Sequence, residues 1–295
     1  MITNRRNTTP RTINFTKTTM LAVFAASLVV LAGSREAWAE CDNSTVRGAY
    51  TTAFTALVGG PSDPNVGDYL PVARIGSLTF TPDAGSRTTG TLRGADTISI
   101  AGFLKPLNYT GTYEIHSDCT GVAILNAFTN ATDLQLVILN RGKEIDWIRA
   151  DEGLVTAGKF TAQNLKCANL TVEGKYAYAY DYGLSTAPAN VFSGLDAFAP
   201  GAASGILTFQ PDGSLSGRDV VSEEGAIRPR QFTGTYKLNS DCTGTLELDE
   251  VVAGGGGDVL HANVVISAAG REINFIQTDV GTVTAFTLKK TARDE

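Results

Sequence analysis

The chain has 295 residues, 43% of them hydrophobic, which is enough for two ordinary domains with cores of their own. Its 31 glycines and 10 prolines suit a turn-rich β protein better than a disordered one. A formal net charge of −6 repels phosphate backbones and anionic membrane surfaces, so nucleic acid is not an expected partner.

Residues 1–39 read as a secretory signal. Arg5, Arg6, Arg11 and Lys17 form a basic, Thr-rich start. The apolar run from Leu21 to Ala32 is too short to span a bilayer. Ala37-Trp38-Ala39 is a small-x-small cleavage signal, which predicts a mature chain from Glu40. An uncleaved membrane anchor is the competing reading. The segment holds five of the 24 basic and one of the 30 acidic residues, so its removal takes the net charge from −6 to −10. No later apolar segment is long enough to cross a membrane, so none is expected after cleavage.

The rest of the chain reads as two copies of one unit, 40–166 and 167–295. Cys41-Asp42-Asn43-Ser44-Thr45-Val46-Arg47-Gly48-Ala49-Tyr50 aligns with Cys167-Ala168-Asn169-Leu170-Thr171-Val172-Glu173-Gly174-Lys175-Tyr176. Leu78-Thr79-Phe80 aligns with Leu207-Thr208-Phe209. Gly111-Thr112-Tyr113 through Ser117-Asp118-Cys119-Thr120-Gly121 aligns with Gly234-Thr235-Tyr236 through Ser240-Asp241-Cys242-Thr243-Gly244. Four cysteines in an exported chain imply disulfides, and the repeat selects Cys41–Cys119 and Cys167–Cys242 from the three possible pairings. Each bridge would close a loop of about 80 residues, worth at most roughly 4–5 kcal/mol of chain entropy. There is no C-x-x-C, and His116 and His261 do not correspond between the copies, so no metal is expected.

Both copies read as β throughout, in short Thr-, Val-, Ile- and aromatic-rich segments broken by Gly, Asp, Asn and Pro. In the second copy the predicted strands are 172–182, 205–210, 214–221, 231–238, 245–251, 261–267, 271–278 and 281–289. The first copy gives the same list and ends with 154–161. Gly213, Gly244 and Gly270 are expected at positive φ in hairpin turns. Asp83 and Asp212 are expected to accept hydrogen bonds from their own turns. About eight meandering strands per copy predict two tandem antiparallel up-and-down barrels of the lipocalin-like (calycin) kind, with two β-sandwiches as the alternative. Barrel closure is preferred because it removes exposed sheet edges.

Three features stand out as possible sites. Tyr176, Tyr178, Tyr180 and Tyr182 alternate along one predicted strand and would share one face, as would Tyr50 and Phe54 in the first copy. Facing inward, they would line a cavity with aromatic walls and hydroxyl handles; the plainer reading is that they fill the core. The first long connection, 58–71 in one copy and 183–203 in the other, carries Phe192, Leu195 and Phe198 in the second. It reads either as a lid over an apolar cavity or as a loop packed on the neighbouring copy. Glu144 with Asp146, and Glu272 with Asn274, share strand faces beside a turn and read as a solvated outer surface. His116 and His261 read as surface histidines.

The G-T-Y…D-C-T-G turn followed by Gly142-Lys143-Glu144-Ile145 and Gly270-Arg271-Glu272-Ile273, with Phe275-Ile276-Gln277-Thr278-Asp279 in the second copy, resembles a family of exported bacterial β proteins with lipocalin-like or allene-oxide-cyclase-like barrels. Gly48-x-Tyr50 and Gly174-x-Tyr176 are similar to the Gly-x-aromatic opening of lipocalins. The resemblance brings no catalytic residues. No nucleophile elbow, phosphate loop or H-E-x-x-H occurs, so no cofactor is expected. The expectation is a non-enzymatic exported binder of a small apolar or aromatic molecule, periplasmic or extracellular. A cofactor-free cyclase or isomerase acting inside a barrel, or a structural envelope or surface protein without ligand, are the alternatives.

Overall fold

The computed structural model describes residues 40–59, 69–127, 131–151, 154–163, 166–185, 198–255 and 257–291. Strands β1 (Gly48–Gly59), β2 (Tyr69–Pro82), β3 (Thr89–Ile100), β4 (Phe103–Ile115), β5 (Thr120–Asn126), β6 (Ala131–Leu139), β7 (Glu144–Arg149), β8 (Leu154–Val155) and β9 (Ala157–Ala162) form one sheet. Strands β10 (Gly174–Ser185), β11 (Ala199–Phe209), β12 (Ser214–Glu223), β13 (Ala226–Leu238), β14 (Thr243–Glu250), β15 (Val259–Ser267), β16 (Glu272–Gln277), β17 (Thr282–Val283) and β18 (Ala285–Lys290) form the other. All pairings are antiparallel and mostly join chain neighbours, and pairing of β1 with both β2 and β9, and of β10 with both β11 and β18, closes the two sheets into eight-stranded barrels. The sandwich alternative is thereby excluded.

The strands alternate because alternate residues must be buried. Leu92, Ile98, Leu107, Tyr109, Tyr113 and Ile115 fill barrel 1 from β3 and β4, with polar neighbours between them. Leu215, Val221, Phe232 and Tyr236 do the same from β12 and β13. The strands are longer than periodicity predicts, so the first connections shorten to 60–68 and 186–198. The last strand of each barrel is interrupted, at Thr156 and Thr284. Each of these residues still accepts a backbone bond, from Arg149 and Gln277.

One end of each barrel is sealed in the same way. The disulfides are Cys41–Cys119 and Cys167–Cys242. Tyr50 donates its hydroxyl to the Gly142 carbonyl at 2.6 Å, and Tyr176 to that of Gly270 at 2.5 Å. Edge-on aromatic contacts join Tyr50, Phe80 and Tyr113, and likewise Tyr176, Phe209 and Tyr236. Gly213 and Gly270 take positive φ as expected, but Gly244 does not. It lies in β14, where a side chain would run into the Lys237 carbonyl. The left-handed residue of that turn is Cys242, and Cys119 matches it in barrel 1. Asp212 accepts from the Ser214 backbone at 2.9 Å, whereas Asp83 accepts from the Thr89 hydroxyl.

The barrels pack on each other through Ala73, Ile75 and Ala101 from the first and Leu184, Val265 and Ile276 from the second, among others. Polar bonds cross the contact: Asn274 donates to Thr51 Oγ1 at 2.9 Å, Asn263 to Thr97 at 3.1 Å, and Ser99 to the Thr282 carbonyl at 2.7 Å. Asn274 is therefore buried between barrels rather than on the solvated face expected for it.

Candidate functional site

Beyond the sealed ends, each barrel buries an aspartate. Asp96 on β3 stands opposite Gly76 of β2, and Asp219 on β12 opposite Gly205 of β11. A side chain at Gly76 would overlap the Asp96 carboxylate, and one at Gly205 would collide with Asp219 Cβ. The glycine makes room for the acid in both barrels.

Each carboxylate is answered by one arginine, but from different strands. In barrel 1 the arginine is Arg74 of β2, which pairs with Asp96, while Tyr109 of β4 donates at 3.3 Å. Its guanidinium lies 5.1 Å from the Tyr109 ring centre and 5.9 Å from that of Phe54. In barrel 2 the arginine is Arg230 of β13, directly across from Asp219. It donates from Nε to Oδ1 at 3.0 Å and from Nη2 to Oδ2 at 2.6 Å, and Tyr178 donates to Oδ2 at 2.7 Å. The Arg230 guanidinium lies 5.1 Å over Phe232. Both aspartate side chains are fully buried, and both oxygens of each are answered: Arg230 reaches both oxygens of Asp219, whereas Arg74 reaches Oδ2 of Asp96 and Tyr109 reaches Oδ1. Burial pushes the Asp96 carboxyl up to about 6 against the pull of Arg74. Burial, and then the Asp219 carboxylate, hold the Tyr178 hydroxyl far above its ordinary range, so it remains a donor. Tyr180 is raised by burial as well, with Arg230 pulling the other way.

The mouths of the two barrels differ. Barrel 2 opens in a cleft of about 380 Å³. Tyr180, Leu184, Phe232 and Leu260 supply apolar and aromatic wall, and Arg230 forms part of the floor. Glu223, Arg228 and Glu250 supply charge: Arg228 pairs with Glu250 at 2.5 Å and more loosely with Glu223 at 3.5 Å. In barrel 1 the same register positions carry Ile100, Lys105 and Leu107 in place of Glu223, Arg228 and Arg230. Ala127 follows β5 where Glu250 ends β14. Leu107 is buried, and Ile100 and Ala127 pack against the same core. Among the described residues, barrel 1 thus sets aliphatic side chains at three of the four positions that are charged in barrel 2, and keeps a cation, Lys105, at the fourth.

The tyrosine row divides. Tyr176 is fully buried at the sealed end, Tyr178 is bonded to Asp219, and Tyr180 reaches the cleft. Phe286 stacks on Tyr178 and Tyr180 at 5.2 and 5.0 Å. The expected alternation stops there, because the pairing of β10 with β11 slips between Tyr180 and Gly183. Such a bulge inserts a residue and resets the faces; the side chain of Tyr182 lies outside what is described. In barrel 1 Tyr50 is buried and Phe54 packs edge-on against Trp147 at 5.2 Å. Phe198 is buried in the cluster between the barrels. Phe192 and Leu195 lie outside the described residues.

His116 is exposed beside Thr120, and Glu144 is held by Lys159 at 3.0 Å. His261 lies on β15, with Nδ1 2.8 Å from Asp279. Among the described residues, no group of three or more His, Cys, Asp or Glu is placed to hold a metal ion.

Sequence reasoning passed over the arginine–aspartate pairs. A signal for the acids was present: Leu92-Arg93-Gly94-Ala95-Asp96 and Leu215-Ser216-Gly217-Arg218-Asp219 share L-x-G-x-D, and alternation from a core leucine puts the aspartate inward. Comparison of the chain with protein-family models and with curated proteins gives no match to either.

Proposed function

We propose that this is an exported binding protein for a small amphipathic molecule, held at the mouth of barrel 2. One observation carries the reading. Two barrels with the same strand order, the same sealed end and the same buried aspartate differ at this mouth, where barrel 1 carries Ile100, Leu107 and Ala127 at positions that hold charged residues around a cleft of about 380 Å³ in barrel 2. That volume is of the size used for small ligands. The tyrosine and phenylalanine walls suit an apolar or aromatic body, and the flanking charges suit a polar group on it. Two disulfides with no free cysteine fit an oxidising, exported environment, and residues 1–39 supply the export signal.

Binding is favoured over a cofactor-free isomerase by the engagement of Asp219. Both of its oxygens are bonded and it lies beneath Arg230, outside the cleft lining, so it is not poised to move a substrate proton.

Native mass spectrometry of mature protein from its own host's exported fraction tests the proposal. The wild type is expected to carry extra mass that leaves on denaturation. A variant given the barrel 1 mouth, with Glu223→Ile, Arg228→Lys and Glu250→Ala, is expected to carry none. Arg230 is left in place so that Asp219 stays paired. Persistence of the extra mass in a folded variant would put the site elsewhere.

A further inference from the structure

The charge balance of the cleft narrows the ligand class, an inference that rests on barrel 2 being a binding site. We infer that the cleft takes a cation: a primary amine or guanidinium carried on an aromatic or aliphatic body. Its lining holds four carboxylates, Glu223, Glu224, Glu250 and Asp258, against two guanidinium groups, Arg228 and Arg230. Arg230 is already neutralised from below by Asp219, in a two-point pair. Arg228 spends its closest bond on Glu250. What remains for a ligand is an excess of negative charge, which disfavours carboxylate and phosphate guests whatever their apolar part.

Glu250 provides the specific acceptor. Its side chain is only 10% exposed, and Oε1 takes the Arg228 bond. Among the described residues no hydrogen bond reaches Oε2. A carboxylate so far buried, with one oxygen unbonded among the described residues of a cleft wall, is an open position for an N–H donor, because charged groups in such places are normally fully bonded. The neighbouring wall suits the rest of a cationic amphiphile. Tyr180 offers aromatic surface, and Leu184 and Leu260 offer apolar surface. Glu223 and the exposed Asp258 extend the negative rim by which a cation would approach.

The test uses three probes of nearly equal shape: 2-phenylethylammonium, 2-phenylethanol and 3-phenylpropionate. Each is titrated into the full mature protein at low and moderate salt, following amide NMR shifts of the cleft residues. The ammonium is expected to bind at least tenfold more tightly than the carboxylate, with the margin shrinking as salt rises. The exposed pair of changes Glu223→Gln and Asp258→Asn is expected to weaken the ammonium about three- to tenfold and leave the alcohol unchanged. Glu250→Gln is expected to weaken it further, with an unchanged fold checked by circular dichroism. Equal or tighter carboxylate binding in the cleft would overturn the cation inference and leave the binding site standing. An alcohol bound as tightly as the ammonium would do the same. Absence of cleft shifts with all three probes would overturn both.

Discussion

Barrels 1 and 2 are built alike and finished differently. Strand order, disulfide position, the tyrosine capping a hairpin carbonyl and the glycine-facing aspartate are common to both. The arginine that answers the aspartate is not: it comes from β2 in one barrel and from β13, the counterpart of β4, in the other. An inward position of a barrel can be reached from either side of a strand pair, so the charge balance survives while its source moves. Two consequences follow at the mouth. Arg230 takes the place that Leu107 fills in barrel 1, bringing a polar floor to the cleft. Tyr178 takes the place of Thr52, and its hydroxyl completes the Asp219 site from β10. The shared part seals one end of each barrel; the divergent part lies inside, toward the other end.

The largest effects should come from removing the shared acid. Asp219→Ala and Asp96→Ala each strand a buried guanidinium and should destabilise the protein by about 3–5 kcal/mol in urea unfolding at pH 7.5. A loss under about 1 kcal/mol would mean that the arginine finds water or another acceptor, and that the pair does not anchor its barrel. Asp96 should also give the stability of the protein a pH dependence. The Asp96 carboxyl is raised by burial from 3.8 to about 6, so the folded state holds its proton more tightly than the unfolded chain. Its stabilising contribution is therefore present at pH 4 and is lost as pH rises through 6. Asp96→Asn should flatten that slope. An identical slope in wild type and variant would assign the dependence to other groups.

The sequence disclosed the repeated architecture because closure of a small sheet leaves repeated marks: alternation, turn glycines, paired cysteines. Strand ends were less legible, because they depend on pairing partners rather than on local propensity. Thus β2 begins at Tyr69, opposite Gly59 of β1 and ahead of the expected end of the connection at Pro71. The arginine–aspartate pairs were legible only in half. L-x-G-x-D marks both acids, but no spacing marks Arg74 and Arg230, because their partners are fixed by register across strands. The bulge after Tyr180 was hidden for the same reason: an inserted residue is visible only against the strand it faces. The F-I-Q-T-D segment carried a meaning that a single copy does not show. Gln277 donates to Asp279 at 3.0 Å, where Arg149 pairs with Asp151 in barrel 1, so two different side chains hold the same turn.

A smaller effect should sharpen the contrast between Thr52 and Tyr178. Thr52 is buried in barrel 1, and its hydroxyl has no hydrogen-bond partner among the described residues. A buried, unsatisfied polar group is destabilising, and Val has the same shape without it. Thr52→Val should therefore stabilise barrel 1 by about 1 kcal/mol, read from the fluorescence of Trp147, the one tryptophan beyond residue 39. Destabilisation would show that the hydroxyl is bonded in solution and that barrel 1 uses this position as barrel 2 uses Tyr178.

The smallest effect concerns His261, which stands in β15 where barrel 1 has Asp133 in β6. In both barrels an aspartate after the next strand accepts the backbone N–H at this position, Asp151 from Asp133 and Asp279 from His261. In barrel 2 alone a titrating ring joins the contact. The bond to Asp279 raises the His261 imidazole above its ordinary 6.5, with Asp279 and Glu247 adding charge attraction. A raised histidine stabilises the fold fully below its unfolded value, and that contribution is lost as pH rises through the folded one. The ring is about half exposed, so solvent screening keeps the gain small. NMR titration of the ring should give a midpoint above 6.5, and Asp279→Asn should return it toward 6.5. An unmoved midpoint would mean that Asp279 serves only the backbone of His261, as Asp151 serves that of Asp133, and the two barrels would then be alike at this turn.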